Sequence, residues 1–313
     1  MNAALQFFRA RTFYALILLL ALFVLAVELV RPGTVTPLWA SNTLLFAAPL
    51  AIIGGGQTLV MLTGGIDLSV AAVATGSAYL LATNASRGDF TAISIALALG
   101  LVVGVVNGVG VALLRVQPLV MTLGTGLMTG GVMIVYSQQM MASQPHVPEI
   151  IQTLGAGKTL GLVPVDIFLW ILIGGLLLFG LHRTGFGRLV YAVGDNRQAC
   201  HLAGIRVWRV LLVDYVLCAL LASITGLVLV GGTNAADLSL AESYLLPSVA
   251  CVVIGGTSIF GGRGGYAGTI VGALILTVLT SLLTLLDVSE PIKQILYGAI
   301  ILSLAAAYAR LTE

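Results

Sequence analysis

The sequence predicts an all-α polytopic membrane protein, and three observations carry that prediction. Of 313 residues, 59% are hydrophobic and only 8% are charged, whereas a soluble domain carries about 25% charged residues. The mean hydropathy is +1.09. The apolar residues also fall into runs long enough to cross a bilayer, at about 20 residues per span. The small net charge of +2 points neither to nucleic acid nor to an acidic partner. Cys200, Cys218 and Cys251 are odd in number and lack metal-ligand spacing, so neither a disulfide framework nor a metal site is expected.

The first run, Thr12 to Val30, is broken only by Glu28 and has no small-residue cleavage site behind it. It reads as a retained helix rather than a signal peptide. Further runs follow at about Asn42 to Leu62, Ile66 to Thr83, Ala92 to Leu114, Leu119 to Met141, Val165 to Leu181, Val210 to Gly231, Tyr244 to Phe260, Ala267 to Leu286 and Pro291 to Tyr308. Together they predict about ten transmembrane helices within one domain spanning residues 1–313. With the N-terminus inside, ten of the 14 Lys and Arg residues fall in inner loops, and only Arg31, Arg87, Lys158 and Lys293 lie outside. Cations accumulate on the cytoplasmic side, so both termini are expected there.

Two loops are long. Residues 142–164, with Pro145, His146, Pro148 and several glycines, read as an irregular periplasmic loop suited to contacting another protein. Residues 183–209 carry five arginines and read as a cytoplasmic loop. Within it Gly194 and Asp195 are expected to turn. Asn196 is expected to cap a short helix from Arg197 through Gln198 and Ala199 to Ala203, with Gly204 ending it before Ile205. Arginines alone would satisfy topology; the capped helix goes further.

The string AVGDNRQACHLAGIRV, Ala192 to Val207, resembles the cytoplasmic coupling loop of permease subunits in ribose-type sugar ABC importers. Gly194, Asn196, Ala199, Gly204 and Ile205 carry the match, while Cys200 and His201 depart from it. TGGIDLSV (Thr63 to Val70), VNGVGVALLRVQPLVMTLGT (Val106 to Thr125) and VVIGGTSIFGGRGGYAGTIVGALI (Val252 to Ile275) are similar to further strings of the same family, in the same order. The resemblance implies a type II ABC importer-like permease with no cofactor of its own. ATP and Mg would sit in a partner ATP-binding subunit docked on the 194–205 segment. A periplasmic sugar-binding protein would deliver a monosaccharide, and a second permease copy or a related permease would complete the path. Relatives also include nucleoside-type permeases, so the substrate stays open.

An ionisable residue inside a span is expensive and is a functional candidate by default. Asp67 follows Gly64 and Gly65 where the second run meets the third. Glycines let the backbone turn, and Asp67 with Ser69 can cap the next helix, so a broken-helix joint is the favoured reading over substrate contact. GGTNAADLS, Gly231 to Ser239 with Asp237, echoes GGIDLS at Gly64 to Ser69, as an inverted repeat would. Gln57, Thr63, Asn107, Thr122 and Thr125 are candidate path-lining groups. Gly100, Gly104, Gly108, Gly126 and Gly130 suit close helix packing, and Gly54, Gly55 and Gly56 after Pro49 suggest a kinked pivot.

Gly261 to Gly265 lack the Gly-Lys-Ser/Thr ending of a phosphate loop. His146, His182 and His201 are scattered and no catalytic motif occurs, so the chain reads as a transport subunit rather than an enzyme. An ion-coupled secondary transporter is the rival of a different class, because broken helices and an intramembrane Asp are also its signs.

Overall fold

The computed structural model describes residues 3–139, 146–159 and 161–312, with side chains placed for 13–139, 146–159 and 161–306. The backbone is helical almost throughout: α1 (Ala3–Val30), α2 (Pro37–Leu62), α3 (Val70–Asn84), α4 (Asp89–Ala112), α5 (Pro118–Gln139), α6 (Glu149–Ala156), α7 (Asp166–Arg183), α8 (Gly185–Asp195), α9 (Arg197–Leu202), α10 (Val207–Thr233), α11 (Leu245–Ile254), α12 (Tyr266–Leu285) and α13 (Glu290–Thr312). A two-stranded antiparallel ribbon pairs Lys158–Thr159 with Val163–Pro164. The fold class is that of an all-α polytopic membrane protein.

Each of the ten apolar runs falls on a helix. Among the described residues, seven helices are long and apolar enough to cross a membrane: α1, α2, α4, α5, α7, α10 and α12. The runs at Ile66 and Tyr244 shorten to α3, with 15 residues, and α11, with 10. At about 1.5 Å of rise per residue neither spans a hydrocarbon core of about 30 Å. The first residues of the Ile66 run and the last residues of the Tyr244 run are spent on turns. Met141, the end of the fifth run, and Pro145 lie outside the described residues.

The helices arrange around α2, most of whose length is buried, while α1 is largely exposed and packs against α12. The three glycines of α2 are explained by this central position. A Cβ on Gly54 would lie 2.7 Å from Cys251 Sγ of α11, and one on Gly56 2.9 Å from Cys218 Cα of α10. The helix runs unbroken past Pro49. The glycines expected to mark a pivot admit neighbouring helices at close approach.

The glycines of α4 do the same against α10. Cβ atoms on Gly100, Gly104 and Gly108 would lie 2.1–2.7 Å from Ser223, Val216 and Leu212, so small residues let the two backbones approach. Gly126 abuts Ser69, but Gly130 has no neighbour within 4 Å, and packing inside this chain does not explain it.

The outer loop is less irregular than its composition suggests. Residues 149–156 form α6, which buries Ile151 and Gly155 against the end of α10. The apolar spacing of Ile150, Ile151 and Leu154 on two turns of helix was outweighed in the sequence by the flanking prolines and glycines.

Candidate functional site: a braced helix break and the loop beneath it

The end of α2 is built by its glycines. Gly64 takes φ of +76°, its N–H bonds to the Met61 carbonyl, and the Gly65 N–H reaches back to Val60, both at 2.9 Å. This paired pattern closes a helix with a left-handed residue just past its cap, here Thr63. A Cβ on Gly65 would lie 2.5 Å from the Tyr215 hydroxyl, so that position also requires a glycine.

Residues 66–69 that follow lie outside regular helix, with Asp67 and Ser69 buried, and their backbone groups need partners. Gln57 supplies two: its Nε2 donates to the Asp67 carbonyl at 2.5 Å, and its Oε1 accepts from the Asp67 N–H at 3.2 Å. Thr122 Oγ1 accepts from the Leu68 N–H at 3.0 Å and lies 3.2 Å from the Ile66 carbonyl. Asp67 Oδ1 accepts the Ser69 N–H at 2.8 Å and the Ser69 hydroxyl at 2.6 Å. Asn107 Nδ2 donates to Ser69 Oγ at 2.9 Å, and Thr125 Oγ1 donates to Asn107 Oδ1 at 2.6 Å.

The polar candidates named from sequence are thus brought together around one backbone segment. Gln57, Asp67, Asn107 and Thr122 are completely buried, and their polar atoms are occupied in bracing the break from α2, α4 and α5. In this conformation they hold a joint and do not line an open path. Asp67 serves the amide two residues on, as a capping carboxylate does. Ser69 contributes no side-chain cap to α3; its hydroxyl turns back to Asp67.

Asp237 makes the same local motif. Its Oδ1 accepts from the Ser239 N–H at 2.8 Å and from Ser239 Oγ at 2.9 Å. Here the residues are exposed, and the two amide and hydroxyl bonds hold the Asp237 carboxyl below its ordinary 3.8. The neighbouring Ala241 N–H reaches Thr75 Oγ1 of α3 at 3.0 Å.

Beneath the first break lies the inner loop. Asn196 Oδ1 caps α9 by accepting the Ala199 N–H at 2.8 Å. Gly204, at φ +76°, closes it with bonds from its own N–H to His201 and from the Ile205 N–H to Cys200, both 3.0 Å. Gly194 and Asp195 are not a turn but the last residues of α8, a helix capped by Thr184 Oγ1. The reason for Gly194 is contact: a Cβ there would lie 1.8 Å from the Leu62 carbonyl oxygen. The Gly262 N–H also bonds to Leu62, at 2.9 Å, and Tyr191 donates to the Gly264 carbonyl at 3.0 Å.

Arg197, the first residue of α9, donates from its guanidinium to the Thr63 carbonyl, at the end of α2. Gln198 lies beside it, exposed. The residues named on the inner loop and those named on the break therefore meet at one place.

The sequence reading missed Asp214. It lies on α10, fully buried, and neither carboxylate oxygen has a hydrogen-bond partner among the described residues. The Thr63 hydroxyl lies close enough to act on it, but that hydroxyl is given to the Val60 carbonyl at 3.0 Å. The adjacent Tyr215 hydroxyl is likewise without a partner among the described residues. The signal was present, since Asp214 is an ionisable residue within an apolar run. Among the described residues no group of three or more His, Cys, Asp or Glu is placed to hold a metal.

Residues 39–305 match the family model for the branched-chain amino acid transport system permease component. The chain is 38% identical over 256 residues to the ribose import permease protein RbsC of Escherichia coli K12, covering 80% of this chain and 79% of the relative. It is 36% identical over 285 residues to RbsC of Bacillus subtilis, covering 90% and 88%. It is 34% identical over 263 residues to the fructose import permease protein FrcC of Rhizobium meliloti, covering 82% and 73%. No solved structure matches the chain. With the match running through the broken helix and the inner loop alike, the chain belongs to the branched-chain amino acid transport system permease component family.

Proposed function

We propose that this chain is the transmembrane subunit of an ATP-driven importer and forms, with a second copy or a related permease, the path for a monosaccharide delivered by a periplasmic binding protein. The sugar class is supported by the relatives named as ribose and fructose import permeases. The one structural observation that carries the coupling role is the hydrogen bond from Arg197 to the Thr63 carbonyl, because it ties a cytoplasmic helix to the break between α2 and α3. ATP and Mg belong to the partner ATP-binding subunit; this chain contributes no cofactor.

In this reading α9 is the coupling helix. Approach of two ATP-binding subunits displaces α9, the Arg197 contact and the Gly194 contact carry the displacement to α2, and the braced segment 66–69 pivots as a unit with α3. The path then opens alternately to the two sides. Ten spans with both termini in the cytoplasm accord with the distribution of cations, with α3 and α11 as half-helices following the two Asp-Leu-Ser junctions. The matching turns at Asp67 and Asp237 support an inverted repeat.

The test is uptake of labelled sugar into proteoliposomes or cells that contain the chain with and without its ATP-binding partner, under an intact proton gradient. Uptake that stops without the partner is expected. Uptake that continues would establish an ion-coupled transporter instead.

A further inference from the structure

A cavity of about 910 Å³ opens beside α9, between the end of α4, the start of α5 and the start of α10. Arg115, Arg197, Arg206 and His201 line it, and among the described residues no carboxylate does. Gln117 and Pro118 bring the first turn of α5 to its wall, and Val207 and Trp208 that of α10. The α10 N-terminus carries no side-chain cap. Arg115 is held at φ +57° between α4 and α5, a conformation unfavourable for a residue with a side chain. Cations and two helix N-termini thus converge on one concavity, and both favour an anion.

The surroundings of the cavity say what kind of anion. Its wall includes the exposed apolar residue Leu113, and the next residue on the chain, Leu114, is 70% exposed, so the cavity borders apolar surface. Trp208, stacked within 5.2 Å of the Arg209 guanidinium, is the amphipathic type enriched at the membrane interface. On α9, Arg197, Gln198 and His201 face the cavity. At 100° per residue, Ala199 points the other way, while Leu202, 81% exposed, lies to the side beside Gln198 without lining the cavity. The apolar positions suited to a protein partner therefore lie off the cavity wall.

We infer that this cavity binds the phosphate of an anionic phospholipid, with the acyl chains lying along α4 and α10. Arg115 and Arg206 hold the headgroup at the membrane surface. Arg197 is shared between the headgroup site and the Thr63 carbonyl, so a bound lipid bears on the contact between α9 and α2.

The test is native mass spectrometry of the full chain extracted from vesicles containing equal amounts of phosphatidylglycerol and phosphatidylcholine. Preferential retention of phosphatidylglycerol is expected. The double variant Arg115→Gln/Arg206→Gln should lose that retention about tenfold or more, from two interfacial cations. Arg183→Gln/Arg188→Gln, which removes the same charge from the same loop away from the cavity, should keep it. Equal retention of both lipids by the parent chain would overturn the proposal whether or not the variants fold. So would unchanged retention in the first variant, or displacement of the lipid by inorganic phosphate, which would mark a site for the free anion.

Discussion

The Arg197 guanidinium is hydrogen-bonded to the Thr63 carbonyl across 134 positions of sequence. One residue begins the short helix α9; the other caps the central buried helix. A charged donor on a carbonyl at a helix C-terminus is well placed, since the dipole there is negative. Arg197→Ala should lower the ratio of sugar transported to ATP hydrolysed by about tenfold, the scale of a hydrogen bond to a charged group. Measuring both rates on one reconstituted sample checks this. A parallel fall in both, with the ratio unchanged, would place Arg197 outside the coupling route.

Asp67 accepts two bonds from Ser69 and is fully buried. Asn in its place can still accept from the Ser69 amide, whereas Ala leaves that amide orphaned. Asp67→Ala is expected to cost about 1–2 kcal/mol of stability and Asp67→Asn clearly less, read by thermal unfolding in detergent. Equal loss in the two variants would mean that the carboxylate acts through its charge.

Asp214 has the opposite standing, because its oxygens are buried without partners among the described residues. Replacing an unpaired buried polar group by an apolar one is neutral or stabilising. Asp214→Leu should leave the unfolding temperature unchanged or raise it. If transport falls at the same time, the carboxylate is kept for a conformation in which it finds a donor. A lowered unfolding temperature would show that Asp214 already has one.

Gly104 and Gly130 look alike in sequence and differ in surroundings. A Cβ on Gly104 would stand 2.7 Å from Val216 Cα, while one on Gly130 meets nothing within 4 Å. Gly104→Ala should destabilise by roughly 1–3 kcal/mol through overpacking. Gly130→Ala should stabilise by up to about 1 kcal/mol through helix propensity. Chemical or thermal unfolding of the two variants side by side decides it.

Asp237 offers a pH test outside the spans. Its carboxyl is held below 3.8 by the Ser239 amide and hydroxyl. A depressed value means that its contribution is present above the unfolded value and disappears as pH falls through the folded one. The difference in unfolding temperature between the parent and Asp237→Ala should be positive near neutrality and close below pH 3.8. A difference independent of pH would show that the turn does not depend on the carboxylate.

The break at Gly64 and Gly65, the capped helix from Asn196 to Gly204 and the placement of ten apolar runs on helices were all legible in the chain, because each rests on local chemistry. A glycine in the left-handed region or an asparagine accepting an amide three residues on needs no distant partner. Residues whose meaning depends on a neighbour were read differently. Gly54 to Gly56 suggested a pivot, and the close contacts they allow with α10 and α11 were not legible; Gly194 suggested a turn and proves to be a contact with Leu62. Residues 149–156 read as loop and fold as α6 because α10 offers a surface for Ile151 and Gly155.

The sequence by itself determined the solvent this protein lives in, the long apolar helices and the capped ends at Gly64 and Asn196, since hydropathy and end-capping act over one turn or one span. Only the tertiary structure decided that Gln57, Asn107 and Thr122, from three helices, brace the backbone around Asp67, that Asp214 is buried without a hydrogen-bond partner among the described residues, and that Arg197 reaches Thr63. Those relations depend on which helix faces pack together. In a bilayer nearly every face is apolar, so hydropathy cannot select the pairs. Small residues and buried hydrogen bonds select them, and both act only between segments already brought into contact.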